Sequence, residues 1–211
     1  IHRIFASEKP YPAGKPRRPS LLAAGRLEVT LPEGCVLEEA KLRADVGVIE
    51  ISFRRGGNSG TLRIALAQKE KGLFLLQLPV PAEIRAVPSR DLNPELREIS
   101  FPEPLRWECG FQQPMPADPG YSLTFERAGE LVRCFFQRGD KETPPRIPAA
   151  GWEEVTAELA RYWGEFWKRV PVIHCESPLI EELFRSGIFQ FQSMTAPDGV
   201  PAGLQGAWIE D

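Results

Sequence analysis

The residues best equipped for chemistry crowd the last stretch of the chain, Pro201-Ala202-Gly203-Leu204-Gln205-Gly206-Ala207-Trp208-Ile209-Glu210-Asp211. An amide, an indole and two carboxylates stand among glycines there. That set suits a sugar, whose ring offers an apolar face to the indole and hydroxyls to the polar groups. Gln205, Trp208 and Asp211 are therefore the candidate substrate-binding residues. Cleavage of a glycoside typically needs two carboxylates flanking the scissile bond. Glu210 and Asp211 are neighbours in sequence, a poor geometry for opposing one another across a substrate. A binding or loop-structuring role suits them better, and no catalytic residue is assigned. The plain alternative is a surface loop in which Trp208 is buried for packing. The segment stops without a turn or cap, so it is expected to open a site whose remainder lies beyond Asp211.

Elsewhere the usual chemical signatures are missing. There is no Gly-x-Ser-x-Gly elbow, dinucleotide fingerprint or Walker loop. His174 precedes Cys175, but adjacent residues of an extended segment point to opposite faces, which favours ordinary packing over a Cys/His pair. Cys35, Cys109, Cys134 and Cys175 form no Cys-x-x-Cys pair, and only His2 and His174 could join them. No metal site and no cofactor are expected, and buried free thiols are the default. Trp163 and Trp167 lie one helical turn apart, where core or domain-interface packing is favoured over a stacking platform. A net charge of -3 gives no drive toward nucleic acid. Lys15-Pro16-Arg17-Arg18 reads as a solvated arm. No apolar run approaches the ~20 residues of a membrane helix. No signal peptide is visible, although the start at Ile1 points to a truncated N-terminus, and a cytoplasmic setting is favoured over export.

The elements that must position such a loop fall into two styles. Residues 1–145 read as an antiparallel β-sandwich domain. Arg26 to Leu31 alternates polar and apolar. Val46 to Phe53 and Thr61 to Leu66 form a hairpin about the turn Gly56-Gly57-Asn58-Ser59-Gly60. Leu73 to Leu78 is more continuously apolar, as a central strand should be, and Ser122 to Arg127 pairs with Leu131 to Gln137. The prolines between Pro79 and Pro119 suit long connections and edge strands. Residues 146–171 form a proline linker and linker helix, in which Trp152, Val155, Leu159, Trp163, Phe166 and Val170 recur at helical spacing until Pro171. Residues 172–211 begin a further helical unit. Ser177 and Pro178 start its helix, and Leu179, Ile180, Leu183, Phe184, Ile188, Phe191 and Met194 form a stripe wide enough to be buried between neighbours. If the sandwich does not cover that stripe, it needs another partner.

Three stretches carry a family resemblance: Ala160-Arg161-Tyr162-Trp163-Gly164-Glu165-Phe166-Trp167, Ser177-Pro178-Leu179-Ile180-Glu181-Glu182-Leu183-Phe184, and Pro201 to Trp208. Together with Val172-Ile173 they resemble the junction in glycoside hydrolases built on an (α/α)6 toroid. The likeness is to the alpha-L-fucosidase-type family 95 and, more distantly, to the maltose-phosphorylase-like family 65. It is specific over about residues 152–211 and architectural over the strands. It implies a mainly β fold, a supersandwich-like β-sandwich followed by a linker helix and the first helix of a truncated toroid. It implies an oligosaccharide or glycoside substrate, with the missing toroid domain as partner and the general acid further on within it. Gln205, Gly206 and Trp208 would border the sugar site. The alternatives are a glycoside phosphorylase and a non-catalytic carbohydrate-binding or scaffolding module.

Overall fold

Period-two alternation turns most of the first 138 positions into strands. The structure, a computed structural model, describes residues 2–5, 19–22, 24–92, 95–98, 101–116 and 119–194. Its strands are β1 (His2–Phe5), β2 (Pro19–Leu22), β3 (Arg26–Thr30), β4 (Cys35–Arg43), β5 (Val48–Arg55), β6 (Asn58–Leu66), β7 (Leu73–Gln77), β8 (Glu83–Val87), β9 (Leu105–Trp107), β10 (Gly110–Gln113), β11 (Tyr121–Ala128) and β12 (Leu131–Arg138). Two short helices, α1 (Ser89–Leu92) and α2 (Glu95–Glu98), follow β8, and two long ones, α3 (Trp152–Trp167) and α4 (Pro178–Met194), follow the last strand.

Eight strands form one antiparallel sheet in the order β4-β5-β6-β7-β12-β11-β10-β9. Alternation sends Leu62, Leu76, Val132 and Cys134 to one face, and the β3–β8 ribbon covers them with Leu27, Val29 and Ile84. Val48, Ala65, Leu73 and Leu75 point to the other face, where Val155, Leu159 and Trp163 of α3 close over them. The fold is thus mainly β, an antiparallel β-sandwich followed by helices. α3 shares one apolar core with the sheet and is anchored by the stretch before it, where Arg133 Nε donates to the Ala150 carbonyl at 2.7 Å.

Several expectations hold in detail. Leu73–Gln77 is a central strand, flanked by β6 and β12. β11 and β12 pair in unbroken register from Tyr121↔Arg138 to Ala128↔Leu131. Others need correction. The β5–β6 hairpin turns on Gly56 and Gly57 alone, with Arg55 opposite Asn58, so Asn58 to Gly60 belong to the strand. β4 was not expected, because a register shift between Leu37 and Glu39 breaks its alternation. β10 was hidden by its polarity. Its Gln112 and Gln113 are buried with their amide nitrogens bonded to loop backbone: Gln112 Nε2 donates to Gly139 O at 3.2 Å and Gln113 Nε2 to Pro102 O at 2.9 Å, while both Oε1 atoms lack a partner among the described residues. All four thiols are free, but only Cys134 is buried and Cys175 is exposed.

α3 stops three residues short of the expected end. Arg169 N–H donates to Phe166 O and Val170 N–H to Trp167 O, which tightens the last turn before Pro171 forbids continuation. α4 starts as its sequence requires. Pro178 occupies the first helical position, the Ser177 carbonyl accepts from the Ile180 N–H at 3.1 Å, and the Glu181 carboxylate reaches back to the Cys175 N–H at 3.0 Å.

Candidate functional site

Gln205, Gly206, Trp208, Glu210 and Asp211 lie outside the described residues, as does the basic arm 15–18. What the structure does describe is the surface formed where α3 and α4 meet the sheet. Its centre is Trp163, 4% exposed, on which Phe189 of α4 stacks with ring centroids 4.3 Å apart and planes at 24°. Trp167 lies 6.3 Å from Trp163 at 29°, and its indole Nε1 donates to the Ala44 carbonyl at 2.7 Å. Both indoles therefore pin α3 to the 44–47 turn, and Trp163 presents no open platform for a ligand.

The turn is shaped for that contact. Gly47 has φ +67°, and a β-carbon there would overlap the Trp163 indole. Arg43 donates to both oxygens of Asp45 at 3.2 and 3.0 Å. These bonds hold the Asp45 carboxyl below the usual carboxylate range, and Arg185 of α4 adds to the effect from a distance. Arg185 also stands 5.0 Å over the Trp167 ring. Gln192 Nε2 donates to the Tyr162 hydroxyl at 2.8 Å. α4 thus docks through Arg185, Phe189 and Gln192, an i, i+4, i+7 face of mixed chemistry.

Beside this contact lies a cleft of about 880 Å³. Leu42, Ile49, Ile64 and Leu66 contribute its apolar side from three strands, and Tyr162, Trp163, Phe189 and Gln192 contribute the helical side. Gln68 and Arg169 add hydrogen-bonding groups. A ligand with one apolar face and several hydroxyls matches such a lining. No carboxylate lines the cleft among the described residues. Among the described residues no group of His, Cys, Asp and Glu could hold a metal ion, and no helix is long and apolar enough to cross a membrane.

The predicted α4 stripe is not where α4 docks. Leu179, Leu183 and Phe191 are 62%, 62% and 63% exposed, and Ile180 is exposed beside them. Phe189, which does the docking, stands outside that stripe. Its only sequence signal is its spacing from Arg185 and Gln192, and neither partner is apolar. His174 and Cys175 are both exposed, and Cys175 Sγ donates to the Ser177 carbonyl at 3.0 Å, not to the imidazole. No family model, curated protein or solved structure matches the chain.

Proposed function

We propose that this chain is the N-terminal part of a carbohydrate-active enzyme of the glycoside hydrolase class, with its acid/base carboxylates carried by a helical domain that packs on α4. The observation that carries this reading is the apolar face of α4, Leu179, Ile180 and Leu183, which is exposed among the described residues directly after a β-sandwich and a sheet-packed helix. A row of large apolar side chains on one helix face is what a neighbouring helix buries. The order sandwich, proline-rich connection, amphipathic helix and second helix is also that of the toroidal glycosidases which residues 152–211 resemble.

The test is hydrolysis of a panel of aryl glycosides, alpha-L-fucosides included. The coding sequence extended past Asp211 is expected to release aglycone, and the 211-residue chain is expected to release none. Turnover by the purified 211-residue chain would place the catalytic groups within it and overturn the assignment. Inactivity of the extended protein on every glycoside would overturn the hydrolase reading. The same lining of aromatic, amide and guanidinium groups favours, as a second reading, a non-catalytic carbohydrate-binding module. That reading requires the 211-residue chain alone to bind glycans, and loss of binding in Gln192→Ala would locate the binding in the cleft.

A further inference from the structure

Arginines from three elements converge on the opposite side of the molecule, on the outer face of the β3–β8 ribbon. In this ribbon Leu27, Val29 and Ile84 face the sheet, so alternation turns Arg26, Glu28 and Arg85 outward. Glu28 lies directly across from Arg85 in the register. Its Oε2 accepts from Arg85 Nε at 3.0 Å and Nη2 at 2.7 Å, while its Oε1 accepts from Arg26. After β8 the chain turns at once into α1, which brings Asp91 and Leu92 to the same place. Asp91 takes Arg106 Nη2 of β9 on both oxygens, at 2.9 and 2.8 Å, and Arg97 Nη2 of α2 at 3.5 Å. Between the two groups lies a pocket of about 640 Å³ lined by Arg26, Arg85 and Arg97, with Asp91 as its one carboxylate among the described residues and Val87 and Leu92 as apolar contacts.

Among the described residues the charges do not balance. Four guanidiniums rest on two carboxylates, and each guanidinium has five donors of which Glu28 and Asp91 engage a minority. Glu83, the next outward residue of β8, adds a weaker pull on Arg85, but it does not line the pocket. Arg90 is paired with Glu103 and adds no surplus. Convergent like charges in a concavity raise the local potential and attract an anion. Guanidinium forks match the paired oxygens of carboxylates and phosphates. The volume falls within the range of small-ligand pockets, about 300–1,000 Å³.

We propose that this pocket binds the oxyanion of a small acidic ligand, a carboxylate or a phosphate ester on a body the size of a sugar. Arg26, Arg85 and Arg97 hold the oxyanion, and Val87 and Leu92 contact the body. This assignment stands apart from the carbohydrate-enzyme reading, since it concerns another face of the protein and its test uses no turnover.

The experiment is titration of the 211-residue protein at low ionic strength with inorganic phosphate, with glucuronate and, as a neutral control, with glucose, followed by amide and arginine side-chain NMR shifts. Saturable shifts at the pocket are expected with at least one of the two anions and none with glucose. Phosphate alone assigns a phosphate ester as the natural group, and glucuronate alone assigns a carboxylate. Arg85→Gln and Arg97→Gln should each weaken binding by about tenfold or more, the scale of a lost hydrogen bond to a charged group. Arg63→Gln, on the other side of the sheet and paired with Glu50, should leave it unchanged. Thermal melting checks that the variants remain folded. Absence of saturable binding for both anions, or undiminished affinity in folded Arg85→Gln and Arg97→Gln, overturns the proposal.

Discussion

The two long helices make a natural pair. α3 and α4 have nearly the same length, both are amphipathic, and both follow the sandwich. α3 buries Val155, Leu159 and Trp163 on the sheet, whereas among the described residues α4 docks through Arg185, Phe189 and Gln192 and keeps Leu179, Ile180 and Leu183 exposed. An apolar stripe therefore states that a helix needs a partner without stating which one. For α3 the sheet is that partner. For α4 the sheet is already occupied, and only a side face finds a docking place on α3.

The sharpest way to break this contrast is at Trp163. Truncation removes the indole from between Phe189, Leu159 and the Gly47 turn. Trp163→Ala is expected to lower the unfolding free energy by about 3–5 kcal/mol, the usual scale for a buried large aromatic. Urea denaturation followed by circular dichroism measures it. A loss below about 1 kcal/mol would mean that α3 is not built into the core. Next comes Gly47→Ala, which combines a left-handed backbone with an overlap onto the indole. The expected loss is about 1–3 kcal/mol, because both strain and overpacking act at one residue. The double variant Gly47→Ala with Trp163→Ala should lose less than the sum of the two, since removal of the ring relieves the clash.

The buried side of the sandwich can be set against exposed α4 by pH as well. Burial pushes the Cys134 thiol from 9.0 up to about 12 and the Tyr121 phenol from 10.0 up to about 12. In the unfolded chain both groups release their protons earlier than in the native state. Between these values the native state thus holds more protons, and stability must fall as pH rises. It is fully present below pH 9 and is lost progressively toward about 12. Cys134→Ala should flatten the part of the decline that begins near 9 and leave the Tyr121 part, as read from denaturation midpoints across that range. Cys175, exposed beside α4, should be alkylated by iodoacetamide in the native protein, while Cys134 reacts only on unfolding. Peptide mass spectrometry separates the two.

Much of this architecture was legible because local pattern and tertiary outcome agree. Leu73 to Leu76 is apolar on both faces because strands flank it and both faces of the sheet are covered there. The α3 spacing names its own core residues. The illegible parts depend on distant groups. Gln112 and Gln113 become core residues only because the carbonyls of Gly139 and Pro102 arrive to accept their protons. Arg26, Arg85, Arg97 and Arg106 are spread over 81 positions and meet only once the ribbon, α2 and β9 are in place. Phe189 looked peripheral to the α4 stripe, because a docking face of Arg, Phe and Gln leaves no apolar periodicity. The carbohydrate loop read from Gln205, Trp208 and Asp211 lies outside the described residues, whereas the cleft is built from residues of β4, β5, β6, α3 and α4.

The smallest expected effect is the most discriminating. Leu179→Gln and Leu183→Gln replace side chains that are each 62% exposed. Each should change the stability of the 211-residue chain by no more than about 0.5 kcal/mol. Both should lower binding of a hydrophobic dye, because they dilute an exposed apolar patch. In the extended protein the same substitutions should each be strongly destabilising, by about 2–5 kcal/mol, if a helical domain covers this face. The comparison of the two proteins under one denaturant therefore measures how completely α4 is buried there. Equal, small effects in both would leave α4 a solvent-facing helix and remove the main support for the helical neighbour.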